Sequence, residues 1–115
     1  MDIGLRSVIN STKGGDLGHV LENVVYLELA RRGGEIYVGK MGDAEIDFVV
    51  VQGERKSYYQ VSLSVRDEDT MKRELEPLQA ISDNYPKYLL TLDNDPIVFH
   101  DGIKQQYVLD WLRNL

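Results

Sequence analysis

The chain has 115 residues, 43% of them apolar, and its 19 acidic and 13 basic side chains give a net charge of −6. These figures suit one globular domain with a real core and are too small for two. They argue against a free-standing binder of nucleic acid, which needs a basic face, and the absence of cysteine excludes disulfides, thiolate zinc sites and thiol catalysis.

The first fifteen residues stand apart from the rest. Asp2 to Ile9 reads as an appendage, and Asn10-Ser11-Thr12-Lys13-Gly14-Gly15 as a polar, Gly-rich linker, so the domain itself is expected over 16–115. Met1-Asp2-Ile3-Gly4 opens no basic-then-apolar signal, and no stretch reaches the roughly 20 apolar residues of a membrane span, so a cytoplasmic location is expected. A helix is predicted from Asp16, a plausible N-cap, to Arg32, stopped by Gly33-Gly34. Leu17, Val20, Leu21, Val24 and Leu27 form its apolar stripe.

The period then changes to two. Strands are predicted over Glu35 to Met41 and Ala44 to Val51, joined at Gly42-Asp43, with the second apolar on both faces and therefore central. A turn at Gln52-Gly53-Glu54-Arg55 leads to a third strand, Lys56 to Ser64. Asp67-Glu68-Asp69 places acids in the first turn of a second helix running to about Ile81, which Pro77 either kinks or divides. After Pro86 come a strand over Lys87 to Leu92, a loop at Asp93-Asn94-Asp95-Pro96, a short strand over Ile97 to Phe99, and a last helical turn or two from Tyr107 to Leu112.

The order α-β-β-β-α-β is that of the PD-(D/E)XK nuclease core, an α/β fold with a mixed sheet flanked by helices. Such an enzyme holds Mg²⁺ with an acid on the second strand and another on the third. A lysine two residues after the second acid lies on the same strand face. Asp47 is the acid of the second strand, with Glu45 expected on its face, and Ile46, Phe48, Val49 and Val50 around it make an unpartnered charge costly. Its bland reading is a half-wet acid near a strand end. On the third strand Gln60-Val61-Ser62 stands where E-x-K would be: an amide oxygen can still bind Mg²⁺, but Ser62 brings no cation. Lys40 or Lys56 would have to reach in, and a polar strand face packed under a helix explains the same residues.

On the first helix Glu22 lies off the apolar stripe, either as a solvated acid or as a third member of the site beside Asp47 and Gln60. Glu28 falls on the stripe, where pairing with Arg31, Arg32 or Lys40 is the expected explanation. His19 and His100 are far apart in sequence and read as ordinary histidines. No G-x-x-x-x-G-K-[ST] is present, so no ATP site is expected in this chain.

Gly18-His19-Val20-Leu21-Glu22-Asn23-Val24-Val25-Tyr26-Leu27-Glu28-Leu29 resembles the helix opening the C-terminal domain of many archaeal and bacterial AAA-type ATPases, a domain of unknown function. The similarity continues through Gly39-Lys40, Glu45-Ile46-Asp47-Phe48-Val49, Tyr59-Gln60-Val61 and Asp83-Asn84-Tyr85-Pro86-Lys87-Tyr88, and Asp2-Ile3-Gly4-Leu5-Arg6 looks like the preceding stretch. The resemblance implies a restriction-endonuclease-like fold and an upstream ATPase domain in a longer prokaryotic parent. It also implies that Glu22, Asp47 and Gln60 occupy the superfamily's acidic positions. Three functions follow as expectations. The first is a nuclease-like accessory domain, impaired at Ser62, with a recognition or regulatory role. The others are an active Mg²⁺-dependent DNA endonuclease, and an interaction module, open to homo-oligomerisation, whose Glu22 and Asp47 lie apart or are each locked to a cation.

Overall fold

Helix α1 runs Gly14–Arg31, two residues longer at its start than the sequence suggests, so Asp16 lies inside the first turn and not at the N-cap. The computed structural model describes residues 14–41 and 44–113. The appendage expected before Gly14 and the turn expected at Gly42-Asp43 lie outside the described residues. The buried face of α1 is also rotated from the expected one. Leu21, Val25, Glu28 and Leu29 are buried, whereas Leu27 is 57% exposed. These buried residues follow the i, i+4, i+7, i+8 spacing of one helical face, and Leu27 lies off it.

Glu28 keeps its place on that face because two guanidinium groups reach it. Its carboxylate accepts from Arg31 Nε at 2.9 Å and from Arg32 Nε at 2.7 Å. Lys40, the third partner considered, takes no part in these pairs. The Arg31 bond foremost, and Arg32 after it, hold the Glu28 carboxyl below the usual range against the opposing effect of burial. Arg32 also donates to Trp111 O at 2.9 Å, and its guanidinium lies 4.4 Å from the Trp111 ring centre.

Six strands form one mixed sheet: β1 (Glu35–Met41), β2 (Ala44–Gln52), β3 (Arg55–Ser62), β4 (Lys87–Thr91), β5 (Val98–His100) and β6 (Ile103–Tyr107). Their spatial order is β1-β2-β3-β4-β6-β5. The β1–β2–β3 meander is antiparallel, β3–β4 and β4–β6 are parallel, and β5 returns antiparallel to β6. Helix α2 (Glu68–Gln79) connects β3 to β4 and is capped by Asp67, which accepts from Thr70 N at 3.0 Å. It continues through Pro77 as one element and ends at Gln79, short of Ile81. Helix α3 (Val108–Leu112) closes the described chain.

The sheet is covered on both faces. Leu21, Val25 and Leu29 of α1 and Leu109, Trp111 and Leu112 of α3 pack on one side, against Val50, Tyr59, Val61 and Leu90. Leu75 and Leu78 of α2 pack on the other, against Ile46, Tyr58, Leu89 and Ile103. Strand pleating sends the adjacent Leu89 and Leu90 into opposite cores, both without exposed surface. The expected α/β class, with a mixed sheet flanked by helices, is the observed one.

Strand β6 is not apparent from the sequence. Ile103-Lys104-Gln105-Gln106-Tyr107 lacks apolar alternation, yet Gln105 and Gln106 are buried. The Gln105 amide oxygen lies 2.7 Å from His100 Nε2 across the hairpin. The link between β5 and β6 is Asp101-Gly102, both at positive φ (52° and 86°), the conformation that a tight two-residue hairpin requires. Replacing Leu90, a side chain central to the first core, by alanine is expected to cost about 3 kcal/mol of unfolding free energy. Urea denaturation of the variant measures it.

Candidate functional site

The β2–β3 ladder runs from Gln52↔Arg55 to Phe48↔Tyr59 and stops there. Beyond that pair only the β3–β4 ladder, which starts at Tyr58↔Lys87, continues, with Gln60 opposite Leu89 and Val61 opposite Leu90. On the other side, β1 pairs Tyr37 with Val49 and Gly39 with Ile46. Two steps on β1 thus match three on β2, which places a bulge at Asp47-Phe48. Bulges bend a strand and re-aim its side chains, and they recur beside functional sites. Gly39 is needed here because an added Cβ would stand 2.7 Å from Val49 Cγ2 and 3.1 Å from Ile46 Cβ.

Where the backbone ladder ends, side chains replace it. The Asp47 N–H donates to Gln60 Oε1 at 2.7 Å, and the Val61 N–H donates to Asp47 Oδ2 at 2.9 Å. Gln60 Nε2 in turn donates to the Glu74 carbonyl of α2 at 3.3 Å. Asp47 and Gln60 are therefore brought together as the sequence suggests, but as a clamp between the parting strands and the helix. Both ends of the buried Gln60 amide are engaged.

The surroundings are acidic. Burial, opposed in part by the Val61 bond, pushes the Asp47 carboxyl up to about 6, with Glu22 and Glu45 adding repulsion. Burial and the Asp47 charge push Glu74 up to about 7, Arg73 opposing and Glu22 adding to the effect. Glu22 thus lies close enough to act on both. Among the described residues no three His, Asp or Glu side chains are placed to hold one ion.

Both lysines, Lys40 and Lys56, line a cleft that includes none of the three candidates. Lys56 lies four residues before Gln60 on the same strand, roughly 13 Å away at strand rise. That cleft, of about 380 Å³, is also lined by Ile46, Val49, Tyr58 and Asp83. Ser62 Oγ donates to the Ser64 carbonyl at 3.1 Å. Another cleft, of about 610 Å³, lies between α2 and the β5–β6 hairpin and is lined by Met71, Leu75, Val98 and His100 among others, away from all three candidates.

No known protein family matches the chain. It is similar to an uncharacterized protein of Haemophilus influenzae, 39% identical over 112 residues. That alignment takes in 97% of this chain but 27% of the relative, so the chain spans about a quarter of the relative's length.

Glu74 is the site residue that the sequence analysis missed. It sits three residues after Met71 and four before Leu78, on the face of α2 that packs on the sheet. An acid on an apolar stripe was the signal that singled out Glu28, and it applied here equally. Because both carboxyls sit above their ordinary values when folded, the folded chain holds protons that the unfolded chain has released. The stability they confer is full at low pH and is lost between about pH 4 and about pH 7. Urea midpoints are therefore expected to be higher at pH 5 than at pH 8. Glu74→Gln should raise the pH 8 midpoint and flatten the dependence, as should Asp47→Asn, which keeps an oxygen for the Val61 amide. An unchanged pH profile in both variants counts against this account of the cluster.

Proposed function

We propose that this domain is a nuclease-like scaffold, impaired in cleavage, that serves recognition or regulation for an ATPase domain attached upstream in a longer chain. The observation that carries the reading is the engagement of Gln60. In a working metal site of this kind the third-strand oxygen faces the ion, whereas here it accepts from the Asp47 amide and the nitrogen holds α2. The position two residues on, Ser62, supplies a hydroxyl bonded to the local backbone. A cluster of Glu22, Asp47 and Glu74 without a lysine would repel a phosphate diester rather than attract it.

The element order in front of β5, with an acid on β2 where the strands part, supports descent from a PD-(D/E)XK core. The greater length of the Haemophilus influenzae relative supports a longer parent. The nucleotide chemistry then belongs to the parent's ATPase part, with DNA or another protein as the recognised partner. No helix among the described residues is long and apolar enough to cross a membrane.

The test is calorimetric titration of the domain with Mg²⁺ and Mn²⁺ beside Asp47→Ala, together with a supercoiled-plasmid nicking assay. The expected result is no heat that depends on Asp47 and no nicking. Asp47-dependent uptake with nicking would falsify the proposal and make the domain a Mg²⁺-dependent endonuclease, with Glu74 as an added member of its site.

A further inference from the structure

The cleft of about 610 Å³ between α2 and the β5–β6 hairpin opens just past the C-terminal ends of two neighbouring parallel strands. Val65 and Arg66 follow β3, which ends at Ser62, and Asp93 and Asp95 follow β4, which ends at Thr91. Crevices outside the carboxyl ends of parallel strands are the common ligand sites of open α/β sheets. The volume also falls within the range of small-molecule sites, about 300–1,000 Å³.

One carboxylate sets the chemistry of this cleft. Asp93 is 5% exposed, and its Oδ2 accepts from the Val65 N–H at 2.9 Å, which ties the loop after β4 to the loop after β3. Its Oδ1 accepts no hydrogen bond from the described residues. Arg66 Nε stands 3.6 Å from it, beyond hydrogen-bonding reach. That guanidinium is engaged by Asp95, to whose two oxygens Nε and Nη2 donate at 3.2 and 2.9 Å. A single cation thus serves two carboxylates, and Asp93 is left short of a donor. Its Oδ1 is not sealed in, because no fully enclosed side-chain oxygen among the described residues lacks a hydrogen bond. The space that Asp93 lines is the cleft. A mostly buried carboxylate with an unused oxygen favours a cationic donor that can reach it.

We propose that this cleft binds a small organic ammonium compound, with its head on Asp93 Oδ1 and its hydrocarbon body on Met71, Leu75 and Val98. Three features select that class. The charged side chains around the cleft are the carboxylates of Glu68, Asp93 and Asp95 against the cations of Arg66 and Lys72, so a monocation brings the site to neutrality. Val65 holds one oxygen of Asp93, and a guanidinium fork needs two acceptors side by side, whereas an ammonium is a point donor. A bare metal ion takes several oxygen ligands, and the apolar walls offer none. Lys72, the lysine that lines the cleft, is exposed and forms no ion pair with Asp93. This inference is independent of the nuclease-like reading.

The test is an amide NMR titration of the chain with n-hexylammonium. Hexanol and hexanoate, which put a neutral and an anionic head on the same body, serve as controls, as does Mg²⁺. Saturable shifts at Val65, Met71 and Val98 below about 10 mM are expected, with hexylammonium about tenfold tighter or more than any control. Asp93→Asn keeps an oxygen for the Val65 amide and turns a donor toward the cleft. It should fold, which circular dichroism checks, and should weaken hexylammonium about tenfold or more. Val98→Lys, at an exposed rim position, should weaken it too by placing a tethered ammonium in the cleft, and it decides alone if Asp93→Asn does not fold. No saturable shift, equal binding of hexanol, or binding that survives the deciding substitution overturns the proposal. Tighter binding of Mg²⁺, or of Nα-acetyl-lysine amide, overturns it equally and assigns the cleft to a metal ion or to a lysine of another protein.

Discussion

The architecture depends on how β2 and β3 are kept together at the place where they separate. An open ladder inside a protein leaves amides and carbonyls unpaired, at a cost of about 1–3 kcal/mol for each orphaned group. Asp47 and Gln60 remove that cost reciprocally, each side chain serving the other's strand, and the free end of the glutamine extends the connection to α2. Three elements are thereby joined at one point, while β3 keeps its pairing with β4 along its other edge. Half-burial of Asp47 and Glu74 beside that point is tolerated because their carboxyls, pushed up to about 6 and about 7, hold protons more readily than free ones.

That clamp bears on how a nuclease-like core could lose its chemistry and keep its shape. A metal ion between the strands holds them by coordination, and hydrogen bonds can hold them equally well. Glutamine is suited to the exchange, since it brings a donor as well as an acceptor, which a carboxylate cannot. The polar residues at the parting of the strands then persist for structural reasons, and their presence says less about catalysis than their partners do.

Much of the fold was legible in the sequence because its signals are local. The change from helical to alternating period between α1 and β1, the Asp67 cap and the glycine turns all place elements within a few residues. The buried face of α1 was misjudged because Leu27 is apolar but exposed, and hydrophobicity alone does not say which neighbour covers a side chain. Strand β6 escaped because its buried Gln105 is satisfied by His100 across the hairpin, a partner that sequence spacing cannot reveal. The site was legible in its members Asp47 and Gln60 but not in its geometry, since the bulge that re-aims Asp47 exists only in the register of β1 on β2. Glu74 was within reach of the same reasoning that found Glu28. What separates the two is the company they keep: arginines next along the helix for one, other acids across space for the other.

The place of β6 has a consequence for how the chain is made. It follows β5 along the chain, yet it lies inside the sheet, between β4 and the earlier β5. Until it arrives, β4 offers a bare edge flanked by Leu89 and Leu90, and β5 has nothing to pair with. The sheet therefore cannot be completed strand by strand in chain order, and β4 keeps an adhesive edge until β6 has been made. Loss of Ile103–Tyr107 would remove an interior strand rather than trim a border.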